Sequence, residues 1–148
     1  MKTKILILTT ALFILTSCGD NKPTINKQES LEKIATENPY GLVLNQGKKW
    51  QVNPEMMQHV KSMEADIKSY ADKNLSTYSE LGKKLNGHIR GLTSSCTMKG
   101  QSHEELHKWL LPFIDLKKEF IQSASAEEYQ VNYQKIVAAM EIFNQYFA

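Results

Sequence analysis

The sequence predicts an all-α fold, an antiparallel up-down four-helix bundle, and three observations carry that expectation. From residue 54 onward, apolar residues recur at alternating three- and four-residue intervals, the period of a helix that buries one face. Helix-start signals recur through the same region: Asn53 before Pro54, Thr77 with Glu80, Ser102 with Glu105, and Ser125 with Glu128. The stretches between the periodic segments are short, and short connections place successive helices antiparallel.

Asn53 is the expected cap of a first helix near 54–73. Pro54 takes its first position, where a missing N–H costs nothing. Its apolar seam is Met56, Val60, Met63, Ile67 and Tyr70. A second helix, near 76–95, opens on the Thr77–Glu80 capping box and carries Tyr78, Leu81, Leu85, His88 and Leu92. Ser102 and Glu105 open a third, near 102–122, which buries Leu106, Trp109 or Leu110, Phe113, Phe120 and Ile121; Pro112 is expected to kink it. Ser125 and Glu128 open the fourth, near 125–147, with Tyr129, Tyr133, Ile136, Met140, Phe143 and Phe147 on one face. Ahead of the helices, residues 40–52 alternate loosely around Asn45-Gln46-Gly47. This predicts a small hairpin or extended segment laid on the bundle, so the folded domain is expected to span 40–148.

At the N-terminus, Lys2 and Lys4 precede a short apolar run, Ile5 to Ile14, followed by Leu15-Thr16-Ser17-Cys18. The run is too short for a stable transmembrane helix. It resembles the signal peptide and lipobox of bacterial lipoproteins. That resemblance implies removal of residues 1–17, lipidation of Cys18 as the new N-terminus, and a lipid-held protein of the cell envelope. With Gly19 after the cysteine, it implies the outer membrane, with the domain facing the periplasm. Residues 18–39, polar and with few apolar side chains, read as a tether.

Of the 18 Lys and Arg residues, Lys2 and Lys4 lie in the leader, so the remainder balances the 16 Asp and Glu. With no basic excess to neutralise phosphates, nucleic-acid binding has no electrostatic support. Lipidation of Cys18 leaves Cys96 as the single thiol, so no disulfide can form within the mature chain. A lone thiol outside the cytoplasm points to metal ligation, intermolecular pairing, redox chemistry or plain burial.

An up-down bundle gathers the start of helix one, the end of helix two, the start of helix three and the end of helix four. His59, His88, His103 and His107 all fall toward that end, with Met56, Met57, Cys96 and Met98. Residues 103–107 also spell H-E-x-x-H, the zinc-peptidase pattern. Its surroundings disfavour a peptidase: the motif sits at a helix start, Glu105 and Lys108 are charged, and Glu104 and Glu105 suit a helix N-terminus. No enzyme is expected. A non-catalytic site fits better, because histidines at i and i+4 project together. Cys96, His103 and His107 are the expected ligands, with Met98 as a softer fourth and His59 or Met56 as further candidates. Sulfur and imidazole together suit copper, as Cu(I), or zinc, as Zn(II). A minor alternative is haem between the helices, near His88, with Gly87 and Gly91 admitting the macrocycle. The other alternative is a helical module that binds a protein partner in the envelope. The pattern Cys96, Met98, His103, His107, Trp109 also resembles small lipoproteins of the Bacteroidetes group, a likeness of one short motif that implies no function.

Overall fold

A computed structural model describes residues 38–71 and 75–148. The leader, Cys18 and most of the tether therefore lie outside the described residues. Four helices make up the domain: α1 (Pro54–Ser69), α2 (Leu75–Ser94), α3 (Gln101–Gln122) and α4 (Ala126–Tyr146). Among the described residues there are no strands, only isolated bridges. No described helix is long and apolar enough to cross a membrane.

Cross-helix pairs give the direction of each helix. Asn53 meets Ser95, Asp66 meets Lys84 and His88, and Tyr70 meets Glu80, so α2 runs back along α1. Lys117 reaches Asn86, so α3 reverses again. Trp109 donates to the Ala139 carbonyl and Lys135 pairs with Glu119, so α4 reverses a third time. The Tyr133 hydroxyl donates to the Ile67 carbonyl at 2.8 Å and closes α4 onto α1. The bundle is antiparallel and up-down.

The seams expected of α1 and α4 are buried, save Tyr129, which is half-buried. Burying each large apolar side chain contributes about 1.5–3 kcal/mol. Helix α2 buries Tyr78, Leu81, Leu85, Ile89 and Leu92; His88 stands at the edge of that seam, half-buried. In α3 both Trp109 and Leu110 are buried. Ile121 is not: it is 43% exposed, because it leans outward over Gly82, where a Cβ would lie 2.6 Å from its Cγ1. Helix α3 continues through Pro112, whose ring removes the amide that would otherwise bond the Lys108 carbonyl.

The helix ends correct several expectations. Asn53 occupies the cap position of α1, but its side chain makes no cap bond. Its Nδ2 instead donates to the Ser95 carbonyl at 3.1 Å, and its Oδ1 is buried without a partner. Helix α1 ends at Ser69, short of residue 73, with the Tyr70 amide bonded back to the Ile67 carbonyl and the Ala71 amide to the Lys68 carbonyl. Helix α2 begins at Leu75, which puts Thr77 inside its first turn and not at the cap. Gly100, at φ 63°, turns the chain into α3, so Ser102 is already helical and its hydroxyl donates to the Lys99 carbonyl. Helix α1 starts at Pro54 as expected, and α4 opens with its expected side-chain cap: Ser125 accepts from the Glu128 amide, while Glu128 accepts from the Ala124 amide one residue further back.

The segment before α1 takes the extended form expected of it, and not the hairpin. Asn45 and Lys48 bond to each other across a tight turn, with Gln46 and Gly47 both at positive φ, but no strands flank it. Trp50 and Val52 instead pair in parallel with the chain's last residues: the Trp50 amide donates to Tyr146, the Ala148 amide to Trp50, and the Val52 amide to Ala148. Trp50 and Phe147 are buried where the two segments meet. Asn38, two residues before the expected domain start, already bonds through its side chain to both the amide and the carbonyl of Leu42.

Candidate functional site

The run Thr93-Ser94-Ser95 ends α2 by supplying hydroxyls to its last carbonyls. Thr93 Oγ1 donates to Ile89, and Ser94 and Ser95 both donate to Gly91. Cys96 follows immediately, in the loop and not in the helix, half-buried with its thiol free. The Gly100 turn then starts α3, so that its first two turns carry His103 and His107 past the end of α2. His103 is half-buried and His107 exposed. Their ring centroids are 4.3 Å apart and the rings meet edge to face.

Cys96, His103 and His107 line one small pocket of about 90 Å³ together with Met56 from the first turn of α1. Leu92, Leu106 and Leu110 form its apolar wall. Four of the six side chains expected at a metal site are therefore brought together, and no carboxylate joins them. The other two are elsewhere. Met98 is half-buried against the hydrophobic core and does not line the pocket. His59 faces α2 one turn beyond Met56. Among the described residues, no three His, Cys, Asp or Glu side chains converge closely enough to hold an ion as they stand.

The two glutamates of the H-E-x-x-H run part company. Glu104 is exposed, while Glu105 is buried, at 2% exposure. Glu105 is no part of a cap. Its Oε2 accepts from the Val43 amide at 3.0 Å and its Oε1 pairs with Lys108 at 2.6 Å, while Lys108 also reaches the Gly41 carbonyl. The acid ties the segment ahead of α1 onto α3. A hydrophobic-seam reading hides this role, because position 105 falls beside Leu106 and looks like the outer half of a capping box.

Sequence reasoning also missed a polar network between α1 and α2. Asp66 sits between Lys84 Nζ at 2.7 Å and His88 Nε2 at 2.8 Å. Partial desolvation pushes the Asp66 carboxyl up, but the hydrogen bonds and charges of Lys84 and His88 outweigh it and hold the pKa below its ordinary value. The hydrogen bond to Asp66 raises Lys84 in turn, against desolvation. The signal was present: His59 and Asp66 are seven apart on α1, and Lys84 and His88 four apart on α2, so each pair shares a helix face. The space over Gly91, offered in sequence to a flat macrocycle, holds the His59 ring instead.

No protein-family model, curated protein or solved structure matches this chain.

Proposed function

We propose that this protein is an envelope lipoprotein, held by lipid on Cys18, that binds Cu(I) in the pocket lined by Met56, Cys96, His103 and His107. It serves sequestration, delivery or sensing, with no catalytic step. The observation that carries the reading is the convergence of a thiol, a thioether and two imidazoles from three separate elements on one small, apolar-walled pocket. Soft sulfur donors select Cu(I), and the lining holds no carboxylate that would suit a harder ion. Structural zinc takes four ligands such as thiolate and imidazole in a closed tetrahedron, and here the fourth donor is the Met56 thioether, a soft ligand that favours Cu(I) over Zn(II).

The test is an anaerobic competition titration of the full chain in detergent against a chromophoric Cu(I) chelator. The expected result is one tightly held ion per chain. Cys96→Ser and His103→Ala should each weaken it by at least about tenfold. Equal affinity in both variants sinks the reading.

A second reading, a module that docks on an envelope protein, has its own observation. Val43, Leu44 and Leu111 are large apolar side chains exposed by 49%, 41% and 56%. Cross-linking in intact cells that captures the same partner with wild type and with Cys96→Ser, but not with Leu111→Glu, favours it.

A further inference from the structure

Outside the Cys96 pocket, two imidazoles stand side by side where α1 packs on α2. The ring centroids of His59 and His88 are 6.5 Å apart and their planes are inclined by 50°. Each ring is placed by a different device. His59 lies over Gly91, in space that any Cβ there would fill. His88 is held through Nε2 by Asp66 Oδ2 at 2.8 Å, and both side chains of that pair are 21% exposed.

A carboxylate on one ring nitrogen fixes the tautomer and leaves the other nitrogen as the donor atom. Metal-ligating histidines are oriented in this way by an outer carboxylate. With bonds of about 2.0–2.1 Å, two imidazoles on one ion have centroids roughly 5–6 Å apart, depending on the angle between them. The observed pair is within about 1 Å of that range, a shift open to half-buried rings. The charge of Lys84 is directed onto the other oxygen of Asp66 at 2.7 Å.

We propose that His59 and His88 form a second metal-binding place, for a borderline divalent ion of the Zn(II) or Cu(II) kind, with Asp66 as the positioning residue for His88. Nitrogen ligands without sulfur suit divalent ions of this class better than Cu(I). Two protein ligands leave the remaining coordination positions to water, so the ion is exchangeable, unlike one in a closed four-ligand site. His59 is one turn beyond Met56 on α1, which puts this place next to the Cys96 pocket without sharing a ligand with it.

The experiment titrates Zn(II) into the full chain in detergent, and separately records the electron paramagnetic resonance of bound Cu(II). In the Cys96→Ser/His103→Ala double variant the proposal expects Zn(II) binding to persist. His59→Ala and His88→Ala should each weaken it at least about tenfold, and Asp66→Asn about tenfold. Nitrogen hyperfine structure from two imidazoles should be lost in either histidine variant, a change that a purely structural role of the rings would not produce. Unchanged Zn(II) affinity in both single-histidine variants overturns the proposal, as does loss of binding only in the Cys96/His103 variant. If a histidine variant fails to fold, Gly91→Ala displaces the His59 ring from the adjoining helix, and retained affinity there overturns it equally.

Discussion

The His59 ring occupies the volume that a side chain at position 91 would take: a Cβ on Gly91 would lie 2.5 Å from Nε2 and 2.6 Å from Nδ1 of that ring. Two effects of Gly91→Ala therefore oppose each other. Alanine is favoured over glycine inside a helix by about 1 kcal/mol, and the ring must swing away to make room. Because the obstacle is the far end of a side chain and not backbone, the net stability change should stay within about 1 kcal/mol. The His59 ring resonances should nonetheless move clearly in a two-dimensional NMR spectrum of the variant. A large loss of thermal stability with unmoved ring resonances would contradict the packing described.

Helix number, direction and seam were legible because they depend on a summed pattern over many residues. Sixteen or more positions can tolerate one misplaced cap without moving the apolar face. Single polar residues were less legible, since their partners lie far away in sequence. Glu105 looks like a capping acid until Val43, 62 residues away, is seen to donate to it. Asn53 looks like a cap until Ser95 takes its amide. At the candidate site, the i,i+4 rule placed His103 with His107, and topology placed Cys96 and Met56 beside them. The exclusion of Met98 was not readable, because no sequence period governs which side chains of the loop between α2 and α3 turn into the pocket.

The Asp66 network gives the domain an acid limb of known sign. The carboxyl's folded pKa is lower than its ordinary value, so its contribution is fully present above the ordinary carboxylate range. It is lost as pH falls through the depressed folded value, below about pH 4. Thermal unfolding followed by circular dichroism should show the wild-type midpoint falling in that window. The decline should be shallower in Asp66→Asn, which has no proton to take up there.

Glu105 is expected to hold residues 41–44 against α3. Glu105→Ala removes the acceptor for the Val43 amide and the partner of Lys108, at a cost of about 1–3 kcal/mol. Hydrogen exchange should show the Val43 amide deprotected, while amides of the α3 interior keep most of their protection. Unchanged exchange at Val43 would rule out the tie.

Phe147 should matter as a bundle residue although it lies beyond α4. Its ring is 2% exposed and stacks on Phe143 with centroids 4.8 Å apart. Phe147→Ala should destabilise the domain by about 3–5 kcal/mol. Tryptophan emission should shift to the red as Trp50, paired with the same segment, gains solvent.

Copper K-edge X-ray absorption of the protein loaded with one equivalent of Cu(I) tests the metal proposal most directly. Coordination in the Met56, Cys96, His103 and His107 pocket predicts sulfur scatterers together with imidazole nitrogen, and loss of at least one sulfur in Cys96→Ser. A first shell of nitrogen and oxygen alone, or a spectrum that Cys96→Ser leaves unchanged, would contradict it.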